Sequence, residues 1–534
     1  MKQVGPRTAD AFDVVIAGGG HNSLVLGCYL AKSGLTVCIA EKNDRVGGSV
    51  ATRENTGPGF KQDICSVSHN LLMGNPMMRN DELQLFSRFG LRYAQPDKMT
   101  ALLFDDGSKL EFWSDLERTC RSMATFSRKD AESFRAFCTA VGKNLDLIIS
   151  GMYNVPPPVG AQTMMMDQTP EGQEMLRIQS ISAWDMICEW FEHPKIRIAL
   201  ARYASEAMLN PFDNGTGFGF YLILPHMFRY GAGVCIGGSG AFADALERCF
   251  LAHGGTIRLN AEVVQFLIED QEATGVILAD GTIIRGRKAV VGGLHVAQIF
   301  PRMIPGIELP LGFQHRVDTL KHSDFQAMTV RLALNQPARF RASSDIDEFF
   351  WIERCPSDVD GFRHGLSELQ RGLVNCDYAV WIQQFRADPS RVPEGKAQIH
   401  IHALMPLELK DGGREKWDEI GAEVAESLID DLRASCTNLT DDNIIGTHFL
   451  TPLDITRYNT SLVNCDIVHI GMFSWQVGGN RPVPGWSQYR MPVPKLYMTG
   501  GSTHPGGGVT GGPGRNAAQV ILEDLGLDFE RVCG

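Results

Sequence analysis

The sequence predicts a doubly wound α/β domain with a second domain of mixed α+β type inserted into it. Three observations predict this. An apolar strand, a glycine turn, a helix and a second apolar strand follow one another within the first 41 residues. A second glycine-rich block, Gly500 to Gly514, follows another short apolar run near the far end. Between them lie helical rhythms and short alternating strands that belong to neither unit.

Asp13–Ala17 (DVVIA) is a continuous apolar run, suited to a parallel strand buried on both faces. Gly18 to Gly20 make the turn. His21–Ser33 has helix-compatible spacing and stops at Gly34, and Leu35–Ala40 is the second strand. In the middle of the chain Ser114, Ser127 and Ser182 each stand three residues before an acid (Glu117, Asp130, Asp185), the pattern of a helix N-cap. After the second of these, Phe134, Phe137, Val141, Leu145 and Ile148 recur at helical spacing as a core stripe. Val155–Val159, with three prolines, is a stiff loop, and Met164–Met166 are expected to fill a packing gap. Ser239–His253 is an amphipathic helix closed by Gly254-Gly255. Thr256–Leu259, Glu262–Glu269, Ala273–Ala279, Thr282–Arg285 and Lys288–Val291 read as short strands, with a hairpin turn at Asp280-Gly281. A strand at Gln398–Leu404, a helix at Glu415–Leu432 and a strand at Leu496–Thr499 complete the reading. It assigns residues 1–75, 230–305 and 455–534 to the first domain, and 76–229 and 306–454 to the second.

Length and charge narrow the function. At about 150 residues per domain, 534 residues amount to three or four domain-sized units, ample for a large core. Lys and Arg number 50 against 62 Asp and Glu, a net charge of −12. That argues against nucleic acid as a partner and gives no general attraction to anionic lipid. The 13 cysteines are odd in number and none forms C-x-x-C, which suits reduced thiols and a cytoplasmic location. Met1–Phe12 has no apolar core of a leader peptide, and no window approaches 18 apolar residues. Peripheral membrane contact through the apolar stretch Phe218–Phe228 stays open, as does the oligomeric state.

The first glycine turn carries chemistry. In Gly18-x-Gly20-x-x-Ser23 the first glycine permits the tight turn, and the second lets backbone amides approach a pyrophosphate on the positive helix end. Ser23 stands where a third glycine is usual. Glu41 ends the second strand about 20 residues past Gly20, where an acid accepts ribose hydroxyls and disfavours a 2′-phosphate. The dinucleotide is thus FAD or NAD rather than NADP.

Arg45-Val46-Gly47-Gly48, with Thr52 beyond it, resembles the second diphosphate-contacting motif of flavoproteins of the amine oxidase and phytoene desaturase type. Ser49 occupies the place of that motif's basic residue. Leu496–Ala518 (LYMTGGSTHPGGGVTGGPGRNAA) closely resembles the C-terminal signature of phytoene desaturase-like FAD oxidoreductases. That group spans carotenoid desaturases and ketolases, retinol saturase and the pyridine nucleotide-disulfide oxidoreductase domain-containing protein 2 branch. Pro482-Val483-Pro484-Gly485-Trp486-Ser487-x-Tyr489-Arg490 and Gly20-His21-Asn22 look most like the last branch. The resemblance implies a Rossmann-like FAD-binding domain. It implies an FAD site made by Gly18, Gly20, His21, Asn22, Ser23, Glu41, Lys42, Gly47, Gly48, Val263, Gly500, Gly501, His504, Gly507, Gly508, Val509 and Thr510. His504 and His69 are the catalytic candidates near the flavin, each weighed against a structural role. No metal is expected, because His400-x-His402 lies on one strand face without a third ligand nearby.

The function these readings favour is dehydrogenation of a carbon–carbon bond in an apolar or cyclic small molecule, with hydride transfer to flavin N5 and the electron acceptor, whether quinone, oxygen or another, left open. The alternatives are a flavin-dependent saturase or isomerase, an amine oxidase, and a flavin-binding partner protein with vestigial redox activity. Ser23 and Ser49 keep the last in view.

Overall fold

A computed structural model describes residues 10–534, so the leader reading of Met1–Phe12 lies almost wholly outside the described residues. Among these residues two seven-stranded sheets organise the chain. In the first, Ala11–Ala17 lies between Val37–Ala40 and Ile283–Gly292, parallel to both. Thr256–Arg258 extends one side and Leu496–Met498 pairs with the end of Ile283–Gly292, again parallel. Glu272–Leu278 and Val263–Glu269 add an antiparallel meander. Val14, Val15 and Ile16 are fully buried, as an uninterrupted apolar run in a sheet covered on both faces must be. Thr282–Arg285 and Lys288–Val291 are one strand rather than two. The ladder to Ala11–Ala17 runs through the irregular register opposite Phe12 and Val14 without ending.

Helix His21–Lys32 covers this sheet and packs against helices Gly240–Ala252 and Gly512–Asp524 in one core. The close approach of the first and last of these depends on Gly514, where a Cβ would collide with the Asn22 carbonyl oxygen. The N- and C-terminal motifs, almost 500 residues apart, are thereby brought side by side.

The second sheet runs in the order Ile444–Leu450, Gln326–Leu334, Ala397–Met405, Ala379–Ile382, Trp351–Cys355, Lys98–Phe104, Lys109–Trp113. Its pairs are antiparallel except Trp351–Cys355 with Lys98–Phe104. Side chains alternate between faces with period two. One face presents Met328, Val330, Leu332, Ile399, Ile401, Trp381 and Ile352 to Val424, Leu428 and Leu432 of helix Trp417–Ser435. The opposite face turns toward a helical layer of Arg128–Met152, Ala183–Trp190, Pro194–Ser205 and Gly217–Tyr230, which shares a core with Leu102, Leu110, Phe112 and Leu404.

Several local expectations change. Ser127 and Ser182 cap their helices, accepting the Asp130 and Asp185 amides at 3.1 and 2.9 Å. Ser114 does not: its hydroxyl donates to Asp97 at 2.8 Å, and Asp115 takes the cap, accepting the Arg118 amide. Met164 and Met165 fill no gap. They are 64% and 68% exposed on helix Val159–Met166, which buries no residue. The stretch Phe218–Phe228 lies within helix Gly217–Tyr230 and spends Phe220, Leu224 and Met227 on the interior, so it offers no apolar face to a membrane. No described helix is long and apolar enough to cross a bilayer. All thirteen cysteines are free thiols.

Candidate functional site

The first glycine turn is held by its neighbours. The Glu41 Oε2 atom accepts the Gly19 amide at 2.7 Å, while Oε1 accepts the amide and side chain of Asn43 at 2.9 and 2.7 Å. The carboxylate ties the turn to the second strand and retains a lone pair on Oε2. Arg258 and Ala261 bond to the Glu41 backbone at 2.8 Å, which brings the start of strand Val263–Glu269 alongside. Gly47 donates to the Gly19 carbonyl at 2.8 Å, docking the second motif on the first. At Gly47, φ is +111° and a Cβ would lie 2.7 Å from the Val50 carbonyl oxygen, so only glycine fits. The departure at Ser23 has a local answer in Gly293, where a Cβ would collide with the Ser23 hydroxyl. Ser49, in place of a basic residue, accepts the Asn459 amide at 2.8 Å. Lys42 reaches Thr460 at 2.7 Å on the surface.

The C-terminal block closes the other side. Thr510 is fixed through its carbonyl to Asn75 at 2.8 Å, and helix Gly512–Asp524 starts directly after it. Arg481, which sequence reasoning passed over, is fully buried and donates to the carbonyls of Gly501 (2.6 Å), Val468 (2.8 Å) and Ile470 (3.0 Å). Burial lowers it to about 10, with Asp466 opposing. It forms no carboxylate ion pair among the described residues, and its position behind Gly501 adds positive charge to the turn. Its signal was available in the Asn480-Arg481-Pro482 run, but only the fold shows where that arginine points.

The two histidine candidates separate. His504 donates from Nε2 to the Gly151 carbonyl at 2.8 Å, and its Nδ1 is buried without a partner among the described residues. Burial lowers it to about 4, so it is a neutral ring with one free acceptor. His69 has both nitrogens committed. Ser239 donates its own proton to Ser66, so His69 Nε2 donates to Ser239 at 3.0 Å and Nδ1 accepts from Tyr93 at 2.6 Å. That leaves no ring nitrogen for a reacting molecule, and His69 is structural here.

The groove fits a dinucleotide on two structural grounds. A Cβ at Gly20 or Gly508 would meet nothing within 4 Å, so the backbone there is open to a close-lying group. Around it, His21 Nε2, Asn22 Oδ1, Thr499 Oγ1 and His504 Nδ1 are buried polar atoms with no partner among the described residues. Such atoms cost about 1–3 kcal/mol each unless something bonds to them.

The two halves meet at Asp63. Its carboxylate accepts Thr52 (2.7 Å) and the Ser239 amide (2.8 Å) from the first half, and Gln384 (2.7 Å) and Arg391 (2.8 Å) from the second. Arg331, on the helix-layer side of the second sheet, donates to the Asp63 carbonyl at 2.8 Å and to the Ile64 carbonyl. His400 and His402 share that side of the sheet. No group of three or more His, Cys, Asp or Glu among the described residues is arranged to hold a metal ion. Trp475 stacks on Phe473, and Trp486 meets Phe313 edge-on in the core beneath the first sheet.

Fold and cradle together define an oxidoreductase with a Rossmann-like dinucleotide domain. A family model described as an NAD(P)-binding Rossmann-like domain matches residues 16–77. Curated relatives match along almost the whole chain. A limonene dehydrogenase polypeptide of Castellaniella defragrans is 25% identical over 97% of this chain and 95% of its own. Pyridine nucleotide-disulfide oxidoreductase domain-containing protein 2 of Rattus norvegicus is 26% identical, covering 96% and 94%. The lycopene-forming phytoene desaturase of Pseudescherichia vulneris is 22% identical, covering 96% and 99%. Among solved structures, an oxidoreductase from Methanosarcina mazei superposes with a TM-score of 0.63 at 17% identity, covering 95% of this chain and 99% of that one. Cyclohexylamine oxidase from Brevibacterium oxydans gives 0.59 at 15%, covering 96% and 99%. The structures share the fold. From end to end the chain is similar to phytoene desaturase-like FAD oxidoreductases.

Proposed function

We propose that this protein is an FAD-dependent dehydrogenase that introduces a carbon–carbon double bond into an apolar or cyclic small molecule. One observation supports this above the others. The backbone is open at Gly20 and Gly508, and beside it in the chain His21 and Asn22, with Thr499 and His504 of the C-terminal block, keep buried polar atoms without partners among the described residues. The desaturase and dehydrogenase names of the full-length relatives point the same way.

In this reading Gly18 to Gly20, Gly47, Gly48, and Gly500 to Thr510 hold FAD, with Glu41 and Val263 at its adenosine end. Bound there, the flavin would supply the hydride acceptor at N5. The chain supplies orientation and a dry site. His504 offers a neutral acceptor at Nδ1, and Arg481 adds fixed positive charge behind Gly501. The substrate loses one hydride and one proton from neighbouring carbons. A cytosol-like compartment agrees with the thirteen free thiols.

The test is the visible spectrum of the purified protein, anaerobic, before and after NADH or NADPH. A bound flavin that stays yellow supports the dehydrogenase, since the substrate is then the electron donor. Prompt bleaching would replace it with a saturase-type reaction. Absence of any flavin would sink the reading.

A further inference from the structure

Residues 466–481 press one histidine against the C-terminal glycine turn. At Gly501 a Cβ would lie 2.7 Å from the His469 Cδ2 atom and 3.2 Å from its Nε2, so the ring lies on the turn and glycine leaves it room. His469 has a φ of +68°, a left-handed conformation that side chains seldom adopt. The segment is clamped in that shape. Arg481 donates to the carbonyls of Val468 and Ile470, the two neighbours of His469, and to that of Gly501. His295 accepts the Ala297 amide at Nδ1 (3.1 Å) and donates from Nε2 to the His469 carbonyl at 2.9 Å. The two rings stack with centroids 5.5 Å apart. A strained backbone held this firmly belongs to ligand clamps, where one side chain must keep one direction.

The place is that of the cofactor. His295 follows strand Ile283–Gly292 and Gly501 follows strand Leu496–Met498, and both strands run parallel to Ala11–Ala17. Their carboxyl ends therefore share one edge with the Gly18 to Gly20 turn, the edge along which an open parallel sheet binds a dinucleotide. The ring's chemistry follows from its neighbours. Ser502 Oγ accepts the Val296 amide at 3.2 Å and turns its own proton to His469 Nδ1, 3.5 Å away. Nδ1 is then the acceptor, and Nε2 carries the proton. The ring is half-buried rather than enclosed, and Nε2 bonds to no described residue. Burial, then His295, hold its pKa well below the usual histidine value, so the donor is neutral. The acceptor it suits is an anionic oxygen. Arg481 sets positive charge behind Gly501, and the segment's one carboxylate, Asp466, is spent on His322, Ser323 and the Val468 amide. Ser49 meanwhile stands where the second glycine motif usually brings a basic residue to the phosphates.

We propose that His469 donates from Nε2 to the diphosphate of the cofactor, in place of a basic residue at position 49. This rests on the FAD cradle of the proposed function and not on the reaction assigned to it.

The experiment is calorimetric titration of the full-length chain, dialysed free of bound flavin, with FAD and with ADP, which has a diphosphate but no ribityl or flavin group. Two variants separate the ring nitrogens, because the amide nitrogen of Gln falls where Nε2 stands and that of Asn where Nδ1 stands. His469→Asn, which tolerates the left-handed backbone, is expected to weaken FAD and ADP alike by roughly tenfold or more. His469→Gln is expected to stay within about threefold of wild type for both. Wild-type affinity in His469→Asn overturns the proposal and leaves the FAD cradle standing. So does an equal loss in the two variants, or a loss for FAD with none for ADP. A wild-type chain that binds neither molecule overturns both readings. Binding of ADP with the expected order of variants, but no uptake of FAD, would refute the proposed function and leave the diphosphate contact standing.

Discussion

The two faces of the second sheet are built from the same strands and differ completely in what they bury. Met328, Val330, Leu332, Ile399 and Ile401 alternate with Thr329, Arg331, Gln398, His400 and His402 along two paired strands. The first set meets helix Trp417–Ser435 in a close-packed apolar core. The second set is equally buried, yet it is spent on the Asp63 seam or left without partners among the described residues. Even the apolar side keeps one unpaired group, the Trp381 indole N–H. The difference is that one face is closed by apolar packing alone, whereas the other accepts a cost in stability and joins the two halves through the Asp63 seam.

The largest expected effect tests the seam. Asp63→Ala leaves the buried Arg391 cation with Asp388 alone, 3.4 Å away, and is expected to cost about 3–5 kcal/mol in denaturant unfolding, with loss of bound flavin. A loss under about 1 kcal/mol would show that the polar face does not hold the halves together. On the other face, Leu428→Ala removes a fully buried side chain from the apolar core and is expected to cost about 2–5 kcal/mol. Flavin content should not change. If flavin falls in proportion to stability, the division of labour between the faces is wrong.

The third expectation concerns pH. Burial pushes the Glu353 carboxyl up from 4.5 to about 7, with Arg202 opposing. A carboxyl raised on folding contributes stability below its unfolded value, and that contribution is lost as pH climbs through the folded one. Wild type should therefore lose melting temperature between about pH 4.5 and 7 relative to Glu353→Gln. Parallel curves for the two proteins across that range would place Glu353 in an ordinary environment. The smallest effect is expected at His400. Burial, then Arg331, keep its pKa well below the usual histidine value, so the ring is neutral and unsatisfied. His400→Leu should leave unfolding free energy unchanged or higher by about 1 kcal/mol. A clear loss would mean that the ring is bonded after all.

Sequence patterns carried the dinucleotide half well. Strand, turn, helix and strand at residues 11–40 stand almost where spacing put them, and so do the hairpin at Gly281 and the helix after Ser239. Each is fixed by neighbours in sequence, through capping, apolar runs and turn residues. The misplacements have the opposite origin. Asp115 displaced Ser114 as a cap because Asp97 took the serine hydroxyl. Met164 and Met165 stayed exposed although helix Pro170–Ser180 touches theirs, because they point away from that contact into solvent. His69 carried no mark that Tyr93 and Ser239 would occupy both of its nitrogens.

By itself the sequence determined that a glycine-rich turn opening a helix lies near each end of this chain, because a tight turn and a helix start are written in consecutive local residues. Tertiary structure alone decided that the two turns lie together and which histidines are satisfied. A buried nitrogen is partnered or orphaned according to chain segments hundreds of residues away, and no local pattern records that.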